Sequence, residues 1–172
     1  MPISHVLVPT DFSPYAEQAL DYAIHLARTC KARLTVLHVI QPVLLAGVDM
    51  GVALPEPYLR EVEDAVQGSM EETLARVTAA GLLGARVVLY GVPFQEIVEV
   101  DKAQQVDLIV MGTYGRTGLM HVLLGSVAEK VVRLDLRLGR NERKEEEGAE
   151  PDQIRQSEGE HTDLPIFYAL IY

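Results

Sequence analysis

The sequence predicts an α/β fold, an open parallel sheet with helices on both faces, and three observations carry that expectation. Strand-like apolar runs alternate with helical periodicity along most of the chain, a pattern that calls for parallel strands joined by right-handed crossovers. A length of 172 residues suits one such domain with a real core and is short for two. The glycine-rich stretch GTYGRTGLMHVLLGS, residues 112–126, follows one apolar run and precedes a helical pattern. That position is where open α/β sheets bind ligands, outside the carboxyl ends of their strands.

Ile3 to Val8 are apolar and β-branched and stop at Pro9, which reads as a buried first strand. Ser13-Pro14 then opens a helix, with serine as N-cap and proline at the first helical position. Ala16, Ala19, Leu20, Ala23, Ile24 and Ala27 recur at three-to-four spacing, a narrow small-residue face that can pack close on a sheet. Leu34 to Ile40 form the second strand, while Gln41 to Pro55 shows neither period and reads as a loop, a candidate flap. Leu59, Val62, Ala65, Val66, Met70, Leu74 and Val77 mark the buried face of a second helix, with a C-terminal cap expected near Gly81. Ala85 to Tyr90 make a third strand, Phe94 to Gln104 a third helix behind Pro93, and Asp107 to Met111 a fourth strand.

Composition narrows the function classes. An apolar fraction of 48% with 23% charged residues is ordinary for a globular chain, so the bulk of it should fold alone. The net charge of -10 disfavours a nucleic-acid backbone as partner, which rewards clustered Lys and Arg. No apolar run reaches the roughly 18 residues of a membrane span, and Met1-Pro2-Ile3 leads straight into a strand without a signal-peptide pattern, so the expected location is the cytoplasm. Cys30 is the only cysteine, which excludes an intramolecular disulfide and reads as a small buried hydrophobe. His5, His25 and His38 lie inside predicted strands or helix with no metal-ligand spacing, and His121 reads as a loop or interface residue.

A helix beginning near Ser126 would offer unsatisfied N–H groups and the positive end of its dipole, a natural phosphate site. Gly125 just ahead would let a phosphate approach. Ser126-Val127-Ala128-Glu129 also fits a capping box, so Ser126 can cap the helix while neighbouring N–H groups face a ligand. Gly112, Gly115 and Gly125-Ser126 match neither the P-loop nor the dinucleotide fingerprint. Spacing alone therefore leaves a purely structural turn open.

Three segments, VLVPTDFSPYAEQAL, LTVLHV and DLIVMGTYGRTGLMHVLLGSVAEKVVR, occur in an order that resembles the universal stress protein family, over residues 1 to about 133. Their glycine motif is similar to that of the family's ATP-binding branch. The resemblance implies an adenine nucleotide α-hydrolase-like (Rossmann-like) fold of strand order 3-2-1-4-5, a homodimer, and ATP with Mg2+ as ligand, ADP or AMP being the alternatives. By similarity Pro9, Thr10 and Asp11 would meet the adenosine half, Asp11 as polar partner of base or ribose. Asp11 also reads as a turn residue ahead of Ser13-Pro14. Val39 would offer backbone groups to the adenine edge, Met111 and Gly112 would border the ribose, and Gly115, Gly125, Ser126 and Val127 would hold the phosphates. Arg116 would either neutralise phosphate charge or face a partner subunit.

Phosphoryl transfer needs a cation, Mg2+ and a residue that orients the nucleophile. The glycine loop holds no lysine, the nearest being Lys130, and no carboxylate lies between Asp107 and Glu129. Binding is therefore expected over turnover, with no catalytic residue and at most slow hydrolysis; the nucleotide would act as a switch ligand in the stress response. The competing reading is a nucleotide-free dimeric interaction protein with a vestigial site, and a third is an enzyme that activates a small substrate with ATP.

Residues 134–172 depart from the resemblance. The family continues into a short apolar fifth strand, whereas LDLRLGRNERKEEE stands here, opening an acidic tail expected to be largely disordered. Either PIFYALIY, residues 165–172, supplies the edge strand from a distance, in its own subunit or a neighbour's, or the C-terminal sequence reflects a shifted reading frame.

Overall fold

The computed structural model describes residues 2–41, 56–112, 126–133 and 166–170. In chain order these form β1 (His5–Pro9), α1 (Pro14–Cys30), β2 (Arg33–Ile40), α2 (Glu56–Ala79), β3 (Gly84–Tyr90), α3 (Pro93–Gln104), β4 (Leu108–Gly112), α4 (126–133) and β5 (Ile166–Leu170). The sheet order is β3-β2-β1-β4-β5. Four strands are parallel, as expected, with Val6 beside both Leu34 and Leu108. β5 pairs with β4 antiparallel, from Ile166 opposite Gly112 to Leu170 opposite Leu108. The parallel expectation therefore stops at β4. Residues 134–165 separate α4 from β5, enough chain to enter the sheet edge from its other end, whereas a short connection would favour a parallel strand.

Side chains alternate between the faces of the central strands. Val6, Val8, Leu34, Val36, Leu108 and Val110 pack under α1 and α2. Leu7, Leu37, Ile109 and Met111 pack on the other face with Ile97 and Val100 of α3 and Ala128 and Val131 of α4. On α1 the buried residues are Ala16, Ala19, Leu20, Ala23 and Ala27, and Cys30 packs half-buried at the edge of this core. The close packing that alanines permit reaches its limit at Gly112. A Cβ there would lie 3.1 Å from the Tyr15 carbonyl carbon and 3.2 Å from its oxygen.

Helix α2 ends as expected, with Gly81 at φ 77° and the Leu82 N–H bonded to the Val77 carbonyl. Its expected buried face holds only in part. Met70, Thr73 and Val77 are buried, whereas Leu59 and Ala65 are exposed. A 24-residue helix is about 36 Å long, and it outruns the seven-residue strand β3 beside it.

At the amino end of the sheet Asp107 joins β1 to β4. One oxygen, Oδ2, accepts from the Ser4 N–H at 2.8 Å, the Ser4 hydroxyl at 2.6 Å and the His5 N–H at 2.9 Å. The Ser4 hydroxyl, then the Ser4 and His5 N–H groups, hold the Asp107 carboxyl below the ordinary 3.8. Behind it His5 is buried: its Nδ1–H donates to the Gln104 carbonyl at 3.3 Å, and Nε2 accepts from the Thr35 hydroxyl at 2.8 Å. Burial, with the Arg33 guanidinium nearby, holds the imidazole below its ordinary 6.5.

Two outcomes follow. Gly112→Val should cost about 1–3 kcal/mol by overpacking against the Tyr15 backbone, read from urea unfolding. Acid should destabilise the fold in two steps. The first begins as pH falls below 6.5, where the unfolded chain binds a proton that folded His5 refuses. The second begins below 3.8 and is complete once the pH has passed the lower folded value of Asp107. Asp107→Asn should remove the second step and, by taking away the charge that raises the His5 value, deepen the first, seen in melting temperature against pH.

Candidate functional site

The central crevice arises from the way β1 ends. β1 stays in register with β2 as far as Pro9 opposite Leu37, but its register with β4 runs only through Val6–Leu108 and Leu7–Ile109. Pro9 has no N–H for the next rung toward β4. From there the chain turns into α1 on one face of the sheet, while α4, which follows β4, packs on the other. Divergence of these two connections is the topological switch point of an open α/β sheet.

Backbone groups on neighbouring strands face the same opening. The Leu37 carbonyl accepts from the Thr10 N–H on the β1 side at 2.8 Å, and the Ile40 carbonyl accepts from the Gly91 N–H on the β3 side at 3.1 Å. Successive residues of a parallel strand turn their polar groups to opposite neighbours. Val39, in step with Leu37, therefore aims its N–H and C=O to the β1 side, beyond the point where β1 has ended. Met111 is buried at the end of β4, and Gly112 sits against Tyr15.

Between β1 and α1 the chain is held by its own side chains. The Thr10 hydroxyl accepts from the Phe12 N–H at 3.0 Å, and Asp11 Oδ1 accepts from the Ser13 N–H at 3.0 Å. Asp11 thus does serve as a turn residue, and that bond holds its carboxylate just past the carboxyl end of β1. Ser13 caps α1, its hydroxyl accepting from the Ala16 N–H at 3.3 Å. Phe12 takes φ 60°, a left-handed conformation that is costly for a bulky residue. Its ring stacks on buried His38, with centroids 4.5 Å apart, and His38 Nδ1–H donates to the Thr10 carbonyl at 2.8 Å.

The fourth helix approaches from the opposite side. Lys130 places its Nζ 4.9 Å from the centre of the Phe94 ring, and Phe94 lies in the first turn of α3, just past the carboxyl end of β3. The start of α4 therefore lies at the carboxyl end of the sheet, with Ser126 exposed and Val127 half-buried. Lys130, the nearest lysine in sequence to the glycine loop, is engaged in a cation–π contact. Gly115, Arg116, Gly125 and His121 lie outside the described residues, as does the candidate flap from residue 42 onward.

The fold thus brings Pro9, Thr10, Asp11, Val39, Met111, Gly112, Ser126 and Val127 to one end of the sheet. Sequence reasoning missed Phe12 and His38. Their only signal was an aromatic residue wedged between Asp11 and Ser13-Pro14, and a histidine inside an otherwise apolar strand. Among the described residues no group of three or more His, Cys, Asp or Glu could hold a metal ion, and no helix is long and apolar enough to cross a membrane.

Parallel strands in the order 3-2-1-4, helices on both faces and a crevice at the switch point define a Rossmann-like α/β protein. The model of the universal stress protein family matches residues 2–134, and the chain belongs to that family. It is 35% identical over 133 residues to universal stress protein MJ0531 of Methanocaldococcus jannaschii, covering 74% of this chain and 75% of that protein. It is 32% identical over 135 residues to universal stress protein YxiE of Bacillus subtilis, covering 75% and 91%. Among solved structures, protein MJ0577 superposes with a TM-score of 0.67 at 30% identity, over 77% of this chain and 90% of that one. A universal stress protein in complex with cAMP superposes with a TM-score of 0.57 at 25% identity, over 77% and 90%.

Proposed function

We propose that this chain binds an adenine nucleotide, ATP with Mg2+ foremost and ADP or AMP as alternatives, in the crevice between β1 and β4, as a regulatory ligand. The observation that carries the reading is the convergence at the switch point of a fixed carboxylate, Asp11, outward-turned Val39 backbone groups and the first turn of α4. These suit the parts of the ligand in turn. A carboxylate pairs with ribose hydroxyls or a base amine, a strand's backbone groups pair with the adenine edge, and a helix N-terminus attracts phosphate. Ser126 and Val127 would hold the phosphates together with Gly115 and Gly125, and Arg116 would neutralise their charge or face a partner subunit. Mg2+ would be carried by phosphate oxygens and water, which suits its preference for substrate phosphates over an all-protein cage. The related protein solved with cAMP supports the adenine nucleotide class.

Regulation is favoured over turnover because the charged groups that the described residues bring to this end of the sheet, Lys130 and Asp11, each already make a contact of their own. Lys130 sits over Phe94, and an oxygen of Asp11 accepts from the Ser13 N–H. Transfer of a phosphoryl group needs a cation on the transferring phosphate and a residue that orients the nucleophile. The same reading makes the protein a cytoplasmic homodimer of the stress response.

Freshly purified protein, denatured and analysed by chromatography and mass, should release ATP or ADP. Gly125→Val combined with Ser126→Val should release none. If neither protein releases nucleotide and added ATP does not bind the wild type, the reading fails and a role in partner binding replaces it.

A further inference from the structure

We propose that His38 is a positioning residue for the nucleotide site: through Nδ1–H it holds the Thr10 carbonyl and so aims the Thr10–Asp11 peptide at the crevice, with Phe12 locking the imidazole in place. The inference rests on the nucleotide reading above and adds the residue that shapes that site. Thr10 is the first residue past β1, and its N–H and carbonyl are both tied to β2, to the Leu37 carbonyl at 2.8 Å and to His38 Nδ1 at 2.8 Å. A peptide is planar, with its N–H opposed to its carbonyl. Fixing the Thr10 carbonyl toward β2 turns the Asp11 N–H the other way, toward the β4 side where the crevice opens.

The imidazole can do this only in one orientation and one tautomer. A carbonyl only accepts, so Nδ1 must carry the proton. Ring orientation is set by the stack on Phe12, 4.5 Å between centroids and 25° between planes. Phe12 reaches that stack from φ 60°, where glycine would sit without strain. A bulky residue held left-handed beside a candidate ligand site is the kind of local strain that a surrounding structure maintains for positioning. His38 itself is buried and reaches no ligand in this account.

Three variants of the full chain test the proposal, with ATP affinity read by calorimetry at a temperature where circular dichroism shows each folded. His38→Phe keeps an aromatic ring and removes the donor; it should weaken ATP binding about tenfold, the scale of one lost hydrogen bond. His38→Asn restores an N–H donor close to the Nδ1 position and should recover most of that loss. Val77→Ala removes core packing between α2 and the sheet and should bind ATP like wild type despite a lower melting temperature. If position 38 does not accommodate a phenyl ring, His38→Leu makes the same comparison with a smaller side chain. Wild-type affinity in the donor-less variant, no recovery in His38→Asn, or an equal loss in Val77→Ala overturns the positioning role. A wild type that fails to bind ATP overturns the nucleotide reading and the positioning role with it.

Discussion

Proline at position 9 has no N–H to give β4, so the ladder between the two central strands ends while β1 is still paired with β2. From that missing rung the candidate site follows. Had β1 continued for two more residues, the Val39 backbone groups would have been spent on a sheet ladder and the Asp11 side chain would have been placed along a strand. The opening also lies between two connections that leave for opposite faces, because α1 covers Val6, Val8 and Val110 while α4 covers Leu7, Ile109 and Met111. Recognition groups from three strands and one helix can meet there without crossing the core.

Such an opening is useful only if its edges are stiff. On the β1 side stiffness comes from a chain of local bonds, Thr10 to Phe12, Asp11 to Ser13, Ser13 to Ala16, backed by the His38–Phe12 stack. On the β4 side it comes from close approach, since Gly112 lies against the Tyr15 backbone where a Cβ would be crowded. One glycine of the stretch 112–126 therefore has a packing reason in the described structure, separate from any phosphate. At the far end of the sheet Asp107 gathers Ser4 and His5, so the strands that diverge at the crevice are tied together at their origins.

Much of this was legible from the residues. Alternating apolar runs and helical periods located the parallel strands and the helices between them, Ser13-Pro14 marked the start of α1, and Gly81 marked the end of α2, because each signal is local. Nonlocal facts were not legible. Leu59 carries the helical period of Met70 and Val77 yet is exposed, because periodicity says which face of α2 is apolar and not how far the sheet beneath it extends. PIFYALIY reads as a strand, but its own residues do not say which way it runs, and β5 pairs antiparallel to β4. His38 looked like one more strand residue, since its partner Thr10 is 28 positions away. Among the candidate site residues, those on strand ends could be placed from the sequence because strand ends are predictable, whereas the contact between Phe12 and His38 could not, because it depends on tertiary structure.

The central claim, that an adenine nucleotide occupies the opening made by the end of β1, is tested most directly by following the backbone amide resonances of the labelled protein during titration with ATP and Mg2+. The account predicts that the largest shifts fall on Asp11, Val39, Met111, Ser126 and Val127, while Ser4, His5 and Asp107 at the opposite end of the sheet stay unmoved. Shifts centred on the exposed strand β3 or on the Asp107 end, with the β1–α1 turn unchanged, would contradict it.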